Sequence, residues 1–242
     1  MPRKGSKRVK HRTHIKNEDA LKGPLSYVFK QGKIGKSPSQ LILDFRAVFR
    51  PFTQQKIKQK RNTKLKHFLN ASKEFSQITY LTKNGENLNL KIIKLPKGPT
   101  FLFRVKEFTL VKDIAKITKK FNNNNNLYFF HPLVLFKNFD GVDDEKQLLN
   151  ALFKNSFAKV DKNTKINQIR RVVIFEYDNK TKEIKFRHYS IRKNNFEDEK
   201  SLKLTEIGPR LTLSTIKIEE SVNNGRVLYK FNDQNRIKED FK

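Results

Sequence analysis

Residues 202–229, LKLTEIGPRLTLSTIKIEESVNNGRVLY, leave the chain the least freedom in how it folds. Leu202, Leu204 and Ile207 fall on one side of a charged extended run. Gly208-Pro209 then interrupts it, because glycine permits unusual backbone angles while proline fixes φ and removes a donor. Leu211 and Leu213 resume the two-residue period, and Ile216 and Ile218 continue it one residue out of phase. Such a slip around Ser214-Thr215 is what a β-bulge produces. Asn224-Gly225 is a two-residue hairpin signal, with Val227, Leu228 and Tyr229 as the returning strand. The stretch predicts a strand, a sharp break with an arginine at its exit, a long bulged strand, a tight turn and a strand.

The 242 residues suffice for one large domain or two small halves. They carry 53 basic against 24 acidic side chains, a formal net charge of +29. Such self-repulsion is best tolerated beside a polyanion, so nucleic acid is the leading partner class. A membrane surface is the rival. However, no apolar run approaches the roughly 18–20 residues of a spanning helix and no apolar signal core follows Met1, so the sequence reads as soluble and intracellular, without a membrane partner. The absence of cysteine excludes disulfides, thiolate metal sites and cysteine nucleophiles. Lysine outnumbers arginine 39 to 14, and Asn, Ile and Phe are abundant, which is also what AT-rich codon usage produces. The charge thus has a second explanation, drift on a solvated surface.

In chain order, residues 1–23 read as a basic disordered tail: either a nuclear address and RNA arm, or a solvated tail with neither role. Ser26–Phe29 predicts a short strand. Gly35-Lys36-Ser37 invites a phosphate-loop reading, but that loop needs glycine where Lys30 stands, and nucleotide hydrolysis is rejected. Ser37 is instead expected to cap a helix, with Pro38 at its first position, Gln40 completing a capping box and Leu41, Ile42, Phe45, Val48 and Phe49 on its buried face. From Arg46 to Lys73, ends included, stand nine basic residues and no acid. Arg46, Arg50, Lys56, Lys58, Lys60, Arg61, Lys64 and Lys66 are candidate contacts for RNA phosphates, the alternative being a solvated face.

Leu65, Phe68 and Leu69 suggest a second helix. Strands follow at Ile78–Leu81, Leu88–Ile92 and Phe101–Val105, the first two joined at Asn84-Gly85 and the last two at Pro96–Pro99. A third helix is expected from Leu110 to Lys120 with Ile114 and Ile117 inward. A buried strand is expected over His131–Phe136, and a fourth helix, capped by Asp143, over Leu148–Phe153. Val172–Tyr177 reads as a central strand, turned at Asn179–Thr181 into Ile184, Phe186 and His188. Arg187 and His188 either touch RNA or are simply exposed strand residues. No triad, metal-ligand spacing or nucleophile context assembles from these residues, so neither a catalytic residue nor a metal site, cofactor or small-molecule substrate is expected.

Several of these motifs carry a resemblance. Glu206-Ile207-Gly208-Pro209-Arg210 is similar to the signature of the Brix-domain family of ribosome-assembly factors. Residues 211–220 and 225–229 resemble its Peter Pan (suppressor-of-Swi-four) branch. Residues 43–46, 62–66, 97–100, 170–173 and 186–189 resemble that branch in the same order, so the likeness runs from about residue 24 to 231. It implies an α+β (mixed α/β) fold of two similar halves, each a small mixed sheet packed with helices, like anticodon-binding domains. The expected halves are 24–109 and 110–231, the latter containing a short linker at 191–201, where the family usually carries a long insertion. A charged tail is expected at 232–242. The implied function is assembly of the large ribosomal subunit in the nucleus and nucleolus, binding precursor ribosomal RNA and partner assembly factors. The alternatives are a small-subunit factor and a protein scaffold with incidental charge. Arg210, fixed by Gly208-Pro209, either faces RNA or ties the break to a neighbouring strand.

Overall fold

The structure, a computed structural model, describes residues 23–57, 65–71, 74–118, 125–141, 143–160, 164, 169–193, 202–222 and 225–231. In chain order its elements are β1 (Ser26–Gln31), α1 (Lys36–Val48), α2 (Leu65–Ala71), β2 (Gln77–Asn84), β3 (Asn87–Lys94), β4 (Thr100–Thr109) and α3 (Val111–Ile117). A 3-10 turn (Asn125–Phe129) leads to β5 (Leu133–Lys137), α4 (Asp144–Lys154), β6 (Arg171–Asp178) and β7 (Glu183–Lys193). β8 (Leu202–Glu206), β9 (Arg210–Glu219) and β10 (Val227–Lys230) complete it. The fold is the expected mixed α/β arrangement. The two small sheets are continuous, in the order β1-β2-β3-β4-β9-β7-β6-β5, with β8 beside β7 and β10 beside β9. β1 and β6 run parallel to β2 and β5 respectively, and all other pairings are antiparallel.

Where the two sheets meet, β4 and β9 resemble each other. Each follows directly on a Gly-Pro pair, Gly98-Pro99 and Gly208-Pro209. Their register steps from Leu102↔Lys217 to Phe103↔Thr215 and from Val105↔Leu213 to Glu107↔Thr212, leaving Ile216 and Lys106 as the extra residues. The two bulges stand at equal distances from their prolines, 106 − 99 = 216 − 209 = 7. The expected slip in β9 is therefore present at Ile216, and β4 carries its counterpart. Both glycines have positive φ, +113° at Gly98 and +68° at Gly208, and neither has room for a side chain. A Cβ on Gly98 would meet the backbone of Glu220 and Ser221 just past β9, and one on Gly208 would meet Ile114 of α3 just past β4. Gly98 is thus pressed against the chain that leaves β9, and Gly208 against the helix that follows β4.

One apolar cluster spans both halves. It joins Leu41, Ile42, Phe45 and Val48 of α1 and Leu149, Leu152 and Phe153 of α4 to Phe101, Phe103, Phe175, Phe186, Leu211 and Ile218 of the sheet. A second cluster lies on the opposite face of the first half, where α2 sets Phe68 against Phe29, Ile78, Tyr80 and Ile93. The helix ends lock the halves together. Gln77, the first residue of β2, donates to the Ser156 carbonyl at 3.2 Å, and Lys94 donates to that of Asn155 at 2.9 Å, just past the end of α4. Arg171, the first residue of β6, donates to Val48 at the end of α1. Each satisfies carbonyls that a helix terminus leaves without an intrahelical partner. Burial pushes the Lys94 amine down to about 8.

Four expectations are corrected. α1 begins at Lys36 with Gly35 (φ +93°) as its N-cap and no side-chain cap bond, so Ser37 does not cap it. Gln40 donates instead to Asp44 one turn later. Ile117 is 73% exposed because α3 stops at that residue, leaving only Ile114 turned inward. β5 is an edge strand rather than a buried one, with Leu135 43% exposed. Asp143 stands at the N-cap of α4 but makes no cap bond, pairing with Lys146 at 3.2 Å.

Candidate functional site

The Glu206–Arg210 segment is where the chain changes neighbours. β8 and β9 form one line along β7, with Tyr189 opposite Glu206 and Phe186 opposite Leu211. The paired numbers sum to 395 before the break and 397 after it, so two extra residues are accommodated within Ile207–Pro209. The amides of Ile207 and Gly208 both donate to the His188 carbonyl, at 2.9 and 3.2 Å. Beyond the bulge β9 gains β4 on its other side, and the two half-sheets become one. The bulge makes the lateral shift that joins them.

Beneath it lies a buried polar cluster. His188 has no exposed surface. Its Nδ1 is 2.7 Å from the Gly208 carbonyl, which can only accept, so Nδ1 carries the proton. Its Nε2 is then the acceptor for Arg171 Nη1 at 3.3 Å. Arg171 is also fully buried, and its guanidinium donates to the carbonyls of Val48 (3.2 Å), Arg50 (2.6 Å) and Phe130 (2.7 and 3.2 Å). Its Cζ lies 4.8 Å above the Tyr128 ring, and that of Arg50 lies 5.6 Å from the same ring. The Arg171 charge is offset by carbonyl dipoles at the end of α1 and by an aromatic face. Burial lowers its pKa only to about 10, so it stays charged near neutrality. Burial first and the Arg171 charge second hold His188 down at about 3.

This depression fixes the sign of a pH effect. An unfolded histidine titrates near ~6.5, and the folded one refuses the proton. The contribution of His188 is therefore complete above that pH and is lost as pH falls toward about 3. We expect the stability difference between wild type and His188→Asn, read from urea midpoints, to be flat above pH 7. Below pH 6 it should shrink by up to ~1.4 kcal/mol per pH unit. A difference unchanged down to pH 4.5 would show that the imidazole accepts a proton in place.

At the exit of the break, Arg210 binds Glu206 through two 2.7 Å bonds, Nε to Oε1 and Nη2 to Oε2. Arg187 reaches the same carboxylate at 3.5 Å. Arg210 thus ties β9 to β8 and, through Glu206, to β7, while keeping part of its guanidinium in solvent. Lys185 and Arg187 alternate along β7 with the buried Ile184, Phe186 and His188, so both lie on the sheet face away from α1 and α4.

The remaining candidates are dispersed. Lys56 and Lys66 are exposed, while Lys58, Lys60, Arg61 and Lys64 lie outside the described residues. Arg46 donates to Val28 O at 2.8 and 3.2 Å and to Gln55 O at 2.9 Å, holding β1 to the segment after α1. Arg50 is half-buried against Tyr128. His188 is withdrawn as an RNA contact because no atom of it reaches the surface. Arg171 and Tyr128 were not singled out from sequence. Their signal was present for Arg171, which shares the two-residue period of Val173, Phe175 and Tyr177 and therefore points inward with them. Among the described residues, no three acidic or histidine side chains gather as a metal site, and no helix is long and apolar enough to cross a membrane.

Comparison with known proteins bears out the family resemblance. The family model described as the Brix domain matches residues 32–217. "Protein Peter pan" of Drosophila melanogaster is 30% identical, the alignment covering 87% of this chain and 59% of that protein. "Peter Pan-like protein" of Arabidopsis thaliana is 26% identical over 96% of this chain and 85% of that protein. "Ribosome biogenesis protein SSF1" of Saccharomyces cerevisiae is 32% identical over 81% of this chain and 48% of that protein. The chain thus spans only about half of the yeast relative and three-fifths of the fly one.

Proposed function

The chain belongs to the Brix-domain family, and from that membership we propose that it is a non-catalytic assembly factor of the large ribosomal subunit, acting in the nucleus and nucleolus. The observation that carries this is the family match over residues 32–217, with relatives that include proteins named ribosome biogenesis proteins. The ligands are precursor ribosomal RNA and partner assembly factors. We assign residues 24–231 to the domain and residues 1–23 and 232–242 to charged arms.

The chemistry asked of the protein is electrostatic. A chain of net charge +29 displaces counterions from RNA when its lysines and arginines meet phosphates. The exposure of Lys56 and Lys66 supports giving them this role, and Lys58, Lys60, Arg61 and Lys64 fall in the same stretch of sequence. Arg187 lies opposite Ile174 on the open sheet face, and Arg187 and Arg210 share the Glu206 carboxylate. About six phosphate contacts on single-stranded RNA give a slope near −4 in a plot of log affinity against log salt. We expect that slope for the protein on large-subunit precursor RNA, and a shallower one after Lys56→Glu and Lys66→Glu. A slope near zero would leave a protein scaffold with incidental charge.

Crosslinking of the tagged protein to RNA in cells tests the assignment directly. Reads concentrated on large-subunit precursor would support it. Reads on small-subunit precursor would move the protein to the other subunit, and no enrichment over an untagged control would remove RNA from its ligands.

A further inference from the structure

Tyr128, Phe129 and Phe130 follow one another through the end of the 3-10 turn, and their rings have opposite surroundings. Tyr128 is buried beneath the Arg171 guanidinium, whereas Phe129 is 72% and Phe130 47% exposed. Two adjacent phenylalanines left in water forgo the gain of burying them. Nor do they sit on a loose loop. Arg171, itself fully buried, donates to the Phe130 carbonyl from both Nε and Nη2, so the backbone that carries the rings is pinned to the core. Exposed rings on a backbone held in place lose little freedom when a ligand meets them.

The same arginine shows what lies beside the turn. Its Nη2 reaches the Arg50 carbonyl at 2.6 Å and the Phe130 carbonyl at 2.7 Å, so the turn and the segment leaving α1 run side by side. The rings of Phe52 and His131, 6.1 Å apart, make a second contact between them. That segment belongs to the stretch from Arg46 to Lys73 that contains no acid, and its Lys56 is exposed. The guanidinium of Arg50 lies 5.6 Å from the Tyr128 ring, and its Nε finds no acceptor among the described residues. Asp44 of α1, whose charge reaches Tyr128, has both oxygens engaged, one by the Val111 amide and the other by Gln40. Exposed rings and cations without a free acid opposite them therefore meet at one place.

We propose that Phe129 and Phe130 are stacking platforms for unpaired bases of an RNA strand, and that the segment running on from Arg50 holds the phosphates of the same strand. The pairing of ring and cation is what a single strand calls for, since every base has a π-face and every linkage a negative charge. A duplex keeps its base faces inside the stack and offers phosphates and groove edges instead. A protein partner would be met by a field of aliphatic side chains, whereas the contacts of this turn are with guanidinia and rings. The inference rests on the reading that the protein binds RNA, and adds which form of RNA is held and by which side chains.

The probes are a fluorescein-labelled oligouridylate of about 20 nucleotides and an abasic strand of the same length, titrated against the full-length protein by fluorescence anisotropy. Phe129→Ala and Phe130→Ala are each expected to weaken binding of the oligouridylate at least about fivefold and to leave that of the abasic strand unchanged. The slope of log affinity against log salt should stay as it was, because no phosphate contact is removed. Phe129→Tyr should keep the affinity that Phe129→Leu loses, which separates a stacking ring from any apolar side chain. Leu228→Ala is the control and should change nothing. Leu228 is 44% exposed, on β10, which pairs with residues 217–219 at the opposite end of β7 from Arg171. Circular dichroism of each variant checks that the fold is kept. Equal loss on the two strands, or full affinity in Phe129→Leu, overturns the proposal. Unchanged affinity in both alanine variants overturns it as well and leaves the rings to a protein partner. The unaltered protein separates this failure from that of the RNA reading. Equal affinity for the two strands would keep RNA as the ligand and remove stacking, whereas binding of neither would remove RNA and the proposal together.

Discussion

Replacing Arg171 with methionine is expected to destabilise the protein by about 3–5 kcal/mol, a large part of the ~5–15 kcal/mol that holds a domain folded. Methionine has a similar reach but no donor. The carbonyls of Val48, Arg50 and Phe130 would lose their shared partner in a place water reaches poorly, and His188 Nε2 would lose its donor. A buried acceptor left unmade costs about 1–3 kcal/mol, whereas a made bond contributes only ~1. Arg171→Lys should recover less than half of the loss, because one ammonium cannot fork to three carbonyls that a planar guanidinium spans. Urea midpoints at constant m-value provide the measurement. A loss under 1 kcal/mol for the methionine variant would mean that water replaces the guanidinium, and that the junction of α1, β6 and the break is held by something else.

The second large effect is steric. Gly208→Ala is expected to cost ~2–4 kcal/mol, from two sources that can be separated. Its φ of +68° disfavours any residue with a Cβ, and the added methyl would press into Ile114 Cδ1. Ile114→Val removes that atom. In the parent it should cost ~1 kcal/mol, as shaving a buried isoleucine usually does, but in the Gly208→Ala background it should cost nothing or restore stability. Strictly additive effects would show that the methyl is accommodated and that backbone strain alone makes glycine necessary here.

Much of this architecture was legible because the chain punctuates it clearly. Asn84-Gly85 and Asn179–Thr181 mark turns that are present, and the apolar spacing from Leu41 to Val48 is that of the buried face of α1. The slip in the period at Ile216 is a real bulge. What was not legible depended on partners distant in sequence. The Gly35 cap of α1 is a backbone solution that leaves no side-chain signal. Period alone could not say that Leu133–Phe136 lies at an edge, since an apolar run reads the same whether one face or two are covered. For the candidate site, charge identified the basic stretch but not which cations were committed: Arg46 serves carbonyls of β1 and of residue 55. His188 looked like an exposed strand residue because the lid over it comes from residues twenty positions away.

The placement of β9 bears on how the protein is made. β9 is the strand that joins the half-sheets, between β4 and β7, and it is translated after both of them. Until residues 210–219 leave the ribosome, β4 and the first residues of β7 each present an unpaired edge, more than 100 residues separate Thr100 from its partner Glu219, and Gly98 has no Glu220 or Ser221 to close against. The nascent chain therefore passes through a stage with two open templates for strand pairing, and addition of one late segment removes both. Folding of the whole sheet waits on that segment, so a chain interrupted shortly before it would carry nearly all of the mass of the protein and none of its central seam.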